Sequence, residues 1–296
     1  MSFEDHLLRA FIAEGAARVL AVDVREVART TRSSHFLGAG AARLAAEGAV
    51  ATALFSAYLK GEAKVSLQIQ LEHPKAAYMG DVSGEGQMRA RFTPAHVPLP
   101  EDGALRGALM VIQWSGDKEV YRGTSAIDDT SLQGALAHHL RTSSQVDVAL
   151  RIAVEQDEDG DITRAIGVLV ERLPTHDELP SLEPEDFYRT FGAVESLSAS
   201  ALEAALDARE LAGSELSVLD QKPVTWHCGC SQERVEGMLL SLGSDELQSM
   251  HDEDGGASVT CHFCNTPYAV SAPRLLELIG ALRRSPEVGA SPVAEA

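Results

Sequence analysis

The chain has 296 residues, with 44 Asp or Glu against 25 Lys or Arg and a formal net charge of −19. That excess of negative charge repels phosphate backbones and anionic lipid, so neither nucleic acid nor a membrane surface is expected as a partner. The longest apolar-rich stretch, Ala49 to Leu59, is interrupted by Thr52 and Ser56 and falls short of the ~18 residues a spanning helix needs.

The acidic start, Met1-Ser2-Phe3-Glu4-Asp5, lacks the basic flank of a secretory signal, and a cytoplasmic, reducing location is expected. From Leu7 to Phe11 and from Ala17 to Asp23 the sequence predicts two short strands that turn at Glu14-Gly15, with an N-terminal helix as the alternative for this alanine-rich stretch. A helix follows around Val24 to Arg32. A longer one over Ala41 to Leu59 places Leu44, Val50, Leu54 and Tyr58 near one face. Lys64 to Leu71 alternates Val65, Leu67, Ile69 and Leu71 with polar residues, the period of a half-buried strand. Ala76 to Val82 and Gln87 to Phe92 continue that pattern around the Gly84-Glu85-Gly86 turn as an antiparallel sheet.

Leu105 to Trp114 and Tyr121 to Ile127 read as further strands, and Ser131 to Thr142 as a helix with His138-His139 on a polar face. Val146 to Val154 is expected to pair with Ile162 to Leu173 across the loop Glu155-Gln156-Asp157-Glu158-Asp159-Gly160. That loop begins like a calcium-binding EF-hand. Its first position is Glu, its twelfth is Ile166 where a bidentate Glu is needed, and its flanks are strands, so a solvated hairpin loop is the reading. Gly38-Ala39-Gly40 lacks the third glycine of a dinucleotide fingerprint, and no Walker loop, G-x-S-x-G elbow or H-E-x-x-H helix occurs. No enzymatic site is read from the sequence. Hairpins mixed with helices, without a regular strand-helix repeat, give an α+β domain over residues 1–173.

Pro174, Pro180 and Pro184 open a segment of different character, a helical linker over 174–215. One helix from Glu185 carries Phe187, Phe191, Val194 and Leu197. A second carries Leu202, Leu206 and Leu211. Helices this short are marginal alone and must dock on a neighbour.

A small metal-binding domain is expected over 216–284, with a disordered tail over 285–296. All four cysteines of the chain lie here, as Cys228-Gly229-Cys230 and Cys261-His262-Phe263-Cys264. Paired thiols one or two residues apart can grip one ion from a tight turn, and two pairs supply the four soft ligands that tetrahedral zinc prefers. The neighbouring His227 and His262 read as residues outside the ligand set. Ser231 is placed to cap a helix bearing Val235, Met238, Leu239 and Leu242, ended by Gly243. Ser244 to Met250 is a second short helix. Val259 to Cys261 and Tyr268 to Val270 are strands around the knuckle, and Pro273 opens a helix with Leu275, Leu278, Ile279 and Leu282. Residues 221–296 hold five basic residues against ten acidic, unlike a nucleic-acid-binding zinc ribbon.

These residues carry a resemblance. Cys228-Gly229-Cys230-Ser231-Gln232-Glu233-Arg234-Val235, Ser241-Leu242-Gly243-Ser244-Asp245-Glu246-Leu247 and Cys261-His262-Phe263-Cys264-Asn265 with Tyr268 are similar to the C-terminal zinc domain of the heat shock protein 33 family. Leu59-Lys60-Gly61, Leu219 to Val224 and Leu8-Arg9-Ala10 extend the likeness over nearly the whole chain. Arg89-Ala90-Arg91-Phe92, Ser143-Ser144-Gln145 and Ala165-Ile166-Gly167 depart from the family pattern, but leave the cysteine chemistry untouched.

The resemblance implies an ATP-independent molecular chaperone, held inactive by one zinc ion on Cys228, Cys230, Cys261 and Cys264 and switched on by oxidation. It further implies disulfides Cys228 with Cys230 and Cys261 with Cys264, unfolding client proteins as partners, and a monomer that dimerises when oxidised. A zinc-stabilised partner-binding protein and a thiol-disulfide oxidoreductase using Cys261-x-x-Cys264 remain as alternatives on the residues alone.

Overall fold

The structure, a computed structural model, describes residues 5–143, 145–174 and 181–284. The expected tail over 285–296 lies outside the described residues, as does part of the linker. The fold is α+β, and the chain divides into two compact units, Met1–His227 and Cys228–Ala296.

The first unit holds two sheets. Strands β1 (His6–Ile12) and β2 (Ala17–Asp23) form the expected hairpin, followed by helices α1 (Arg25–His35) and α2 (Ala39–Phe55). Strands β3 (Ala63–His73), β4 (Lys75–Ser83), β5 (Gln87–Thr93), β6 (Leu105–Ser115) and β7 (Lys118–Thr130) lead to α3 (Leu132–Ser143) and the hairpin β8 (Val148–Gln156) and β9 (Ile162–Arg172). Then come α4 (Pro184–Phe191), α5 (Ala199–Asp207), the two-residue strands β10 (Glu210–Leu211) and β11 (Ser214–Glu215), β12 (Ser217–Pro223) and β13 (Thr225–Trp226). One sheet has the order β12-β1-β2-β9-β8, and the other β13-β5-β4-β3-β6-β7. All pairings in them are antiparallel except β13 on β5.

Helix α2 packs on strands of both sheets and is buried on nearly every side, not along the single stripe that the spacing of Leu44, Val50 and Leu54 predicts. Its alanines and glycines make this possible by letting neighbours approach closely. A Cβ on Gly48 would stand 2.8 Å from the Tyr78 ring, and one on Gly167 of β9 would collide with Val50. Thr52 supports the contact, since its Oγ1 bonds the Gly48 carbonyl at 2.8 Å and the Tyr78 hydroxyl at 2.9 Å.

The five-stranded sheet is apolar on both faces. Leu7, Leu20, Val22, Leu150 and Leu169 point into the core around α2, while Ala10, Ile12, Val19, Ala149, Val168 and Val170 point the other way. Runs such as Val19-Leu20-Ala21-Val22 therefore put alternate side chains into two different cores. Helices α4 and α5 and the 3-10 turn between them cover the second face with Phe187, Phe191, Val194 and Leu202, all buried. Leu211 joins this core from β10, because the second linker helix ends at Asp207. A polar rim surrounds it. Arg151 Nε donates to the Leu197 carbonyl at 2.6 Å, Gln133 Nε2 to that of Glu195 at 3.2 Å, and Arg164 pairs with Glu203 at 2.7 Å.

His139 is buried on α3, hydrogen-bonded to Ser125 Oγ at 2.8 Å, rather than on the polar face expected of the His138-His139 pair. The acidic loop is a turn in which Asp157 Oδ1 accepts from the backbone of Asp159 and Asp161.

The second unit contains α6 (Gln232–Leu240), α7 (Ser244–Ser249), the hairpin β14 (Gly256–Thr260) and β15 (Pro267–Ser271), and α8 (Ala272–Arg284). Its core is small, comprising buried Val235, Leu239, Leu247, Val270, Leu275, Leu278 and Ile279. Met238 and Leu242, expected on the buried stripe of α6, are about half exposed. The sequence begins this domain near Leu216. In the structure residues 217–226 instead complete sheet edges of the first unit, β12 on β1 and β13 on β5. Arg9 pairs with Asp220, and Lys222 Nζ donates to the carbonyls of Ser56 at 2.9 Å and Gly84 at 3.2 Å.

Candidate metal centre

The cysteines come from two tight turns. In the first, Ser231 follows Cys230 and caps α6, its hydroxyl accepting from Arg234 N at 3.2 Å. Arg234 Nη1 reaches back to the Gly229 carbonyl at 2.7 Å, which fixes the Cys228-Gly229-Cys230 turn to the helix it opens. The second turn joins β14 to β15. Asn265 N–H donates to the Cys261 carbonyl at 2.8 Å and Cys261 N–H to that of Thr266 at 3.0 Å. Asn265 takes the left-handed conformation (φ 57°), which Asn tolerates better than most residues. Gln232 Nε2 to the Ala269 carbonyl (3.2 Å) ties the two turns together through α6 and β15.

The four sulfur atoms lie within 4.8 Å of one another, and among the described residues no His, Asp or Glu joins the group. Cys228 Sγ is 3.6 Å from Cys261 Sγ, and Cys230 Sγ is 3.2 Å from Cys264 Sγ. In a tetrahedral site with metal–sulfur bonds of about 2.3 Å the sulfurs stand about 3.8 Å apart. Both pairs lie just under that edge and no two sulfurs are more than 4.8 Å apart, so the donor set and its compactness fit one tetrahedral cation of the kind thiolates select. His227 and His262 are both exposed.

Two hydroxyls touch the cluster. Tyr268 on β15 donates its hydroxyl hydrogen bond to Cys230 Sγ at 3.0 Å, and Thr266 Oγ1 is bonded to Cys264 Sγ at 3.2 Å. Spacing alone does not predict these contacts, because each depends on how the hairpin folds back over the turns. Burial pushes the Cys228 thiol up to about 12. Burial also raises Cys230, against the pull of the Tyr268 hydroxyl. At Cys264 burial is outweighed by the hydroxyl and backbone of Thr266, and the thiol is drawn down to about 6. A cation among the sulfurs would override this spread, since a coordinating thiol is deprotonated outright.

The family described as Hsp33 protein matches residues 5–271. The chain is 29% identical over 284 residues to the 33 kDa chaperonin of Bacillus velezensis, covering 93% of this chain and 98% of that protein. It is 27% identical over 281 residues to the 33 kDa chaperonin of Bacillus subtilis, covering 92% and 97%. The crystal structure of the 33 kDa chaperonin (heat shock protein 33 homolog) of Thermotoga maritima superposes with a TM-score of 0.82 at 22% identity, over 96% of this chain and 100% of that one.

Proposed function

This chain belongs to the Hsp33 family, and on that premise we propose that it is a redox-regulated, ATP-independent molecular chaperone. The reduced form holds one zinc ion on Cys228, Cys230, Cys261 and Cys264 and is inactive. Oxidation to the disulfides Cys228 with Cys230 and Cys261 with Cys264 activates it to bind unfolding proteins in the cytoplasm, as a dimer.

The observation that carries this reading is the convergence of four sulfurs in a unit whose own core, among the described residues, is only seven buried residues. So thin a core gives ~5 kcal/mol or less. Zinc, when bound, holds the four thiols as thiolates and joins the two turns, contributing about 10–16 kcal/mol to folding. The unit therefore folds with its sulfurs reduced and loses its fold when they are spent.

A thiolate that attacks a hydroperoxide becomes a sulfenic acid, and the thiolate beside it displaces hydroxide to close a disulfide. Disulfides within both pairs leave no four-sulfur cage. The chain running back from Cys228 is β13 and then β12, which closes the edges of both sheets in the first unit. Beyond them lie α4 and α5, whose removal would bare the apolar face formed by Ile12, Val19, Val168 and Val170. That face supplies the surface for clients, and the segment 174–215 acts as the redox-sensitive linker.

The position of Cys261-x-x-Cys264 favours this reading over a thiol-disulfide oxidoreductase. It sits in a turn between two strands, not at the start of a helix where such enzymes activate their first thiol. The test is light scattering of a heat-unfolded protein with the reduced and the peroxide-treated chain, without ATP. The reading expects suppression only after oxidation, and equal suppression by both forms would sink it.

A further inference from the structure

The sulfurs of the Cys228-Gly229-Cys230 turn differ in what bonds to them. Tyr268 belongs to the strand after the other turn, yet its hydroxyl crosses the cluster and donates to Cys230 Sγ at 3.0 Å. Its ring is packed against the core of the second unit, so the hydroxyl is aimed by the hairpin and not by the cysteine it contacts. Cys228 Sγ faces Cys261 Sγ at 3.6 Å and is met by the backbone N–H of Cys230, but among the described residues no hydroxyl hydrogen-bonds to Cys228 or Cys261.

A thiolate attacks with a filled lone pair. A hydrogen bond aimed at that pair stabilises the charged sulfur most before the reaction, and less in the transition state, where charge has moved onto the leaving group. Resting on the reading that these cysteines are oxidised metal ligands, we propose that Tyr268 is a positioning residue that restrains Cys230 and so makes Cys228 the attacking member of its pair. Cys228 sulfur attacks one oxygen of hydrogen peroxide, forming an S–O bond as the O–O bond breaks and hydroxide leaves. Cys230 sulfur then displaces hydroxide from the Cys228 sulfenic acid, forming the S–S bond. The two sulfurs together lose two electrons, and the peroxide is reduced to water once the released hydroxides take up protons.

The test compares the zinc-loaded full-length chain with its Tyr268→Phe variant, which keeps the ring and removes the hydroxyl. Each is treated with iodoacetamide, whose iodide a thiolate displaces, and the rate at each cysteine is read by mass spectrometry of quenched samples. Cys230 is expected to react more slowly than Cys228 in the native chain. In Tyr268→Phe the Cys230 rate should rise relative to Cys228 by roughly three- to tenfold, the loss of one charge-assisted hydrogen bond. Thr266→Val, which removes the hydroxyl from Cys264, should leave the Cys228-to-Cys230 ratio unchanged. A ratio unmoved by Tyr268→Phe, or a parallel rise at all four cysteines, overturns the inference while leaving the zinc reading intact. A native chain that takes up no zinc overturns both.

Discussion

Phe187 and Phe191, one helical turn apart on α4, are both fully buried, with ring centroids 5.5 Å apart and planes at 54°. Most of α4 is polar and exposed, so these two rings are its apolar anchors on the sheet face of Ala10, Val19 and Val168, beside the contacts of Tyr188 with Asp147 and Arg141. Truncating Phe191 to Ala removes one of the two anchors and leaves a cavity, at a cost of about 3–5 kcal/mol. The variant is expected to suppress client aggregation while still reduced and zinc-loaded, with faster hydrogen exchange over residues 184–207. Normal exchange there, together with gained activity, would separate the linker from the client surface.

The second unit should stand or fall with its sulfurs. On the proposed zinc reading, Cys261→Ser takes one ligand from the site expected to supply most of the folding energy of that unit, and should weaken zinc binding by at least about 100-fold. Amide protection in α6 and α8 should vanish while that of β3 and β4, in a separate core, remains. Hydrogen exchange by mass spectrometry of the full chain reads both units at once. Retained protection of α8 in the Ser variant would show that the small apolar core suffices.

His139 is expected to make the first unit sensitive to acid. Burial, with the neighbouring His138, holds its imidazole below the usual histidine range, while in the unfolded chain it titrates near its ordinary value of ~6.5. Below that value the unfolded state takes up a proton that the folded state does not. The contribution to stability is therefore full above ~6.5 and is lost as pH falls toward the folded value. His139→Asn, whose amide can still meet Ser125 Oγ, should flatten the dependence of the urea midpoint between about pH 7.5 and pH 5. An unaltered slope would assign the acid sensitivity to other groups.

Local patterns made much of this architecture legible. Period-two alternation in β3 to β5 and the interrupted runs of β8 and β9 mark strands because their side chains face a core on a two-residue repeat. The cysteine spacing marks the metal site because two tight turns are enough to present four sulfurs. What the sequence hides depends on distant partners. Ser217 to Pro223 carries Asp220 and Lys222 and has exposed Val218 and Leu219, so nothing local shows that it closes a sheet edge on β1, more than 200 residues earlier. Helix α2 gives an amphipathic signal, although its small residues bury it from all sides. His139 looks polar until Ser125 is seen beneath it, and Tyr268 gives no sign of its reach to Cys230.

Activity is expected to follow the loss of the metal cage. This is tested most directly by following zinc release with a chromophoric chelator and client light scattering in one sample, as hydrogen peroxide is added with mild warming and no ATP. One zinc is expected to be released per chain, with suppression of scattering rising on the same time course and reversed by a dithiol reductant with added zinc. Full suppression while zinc remains bound would contradict it.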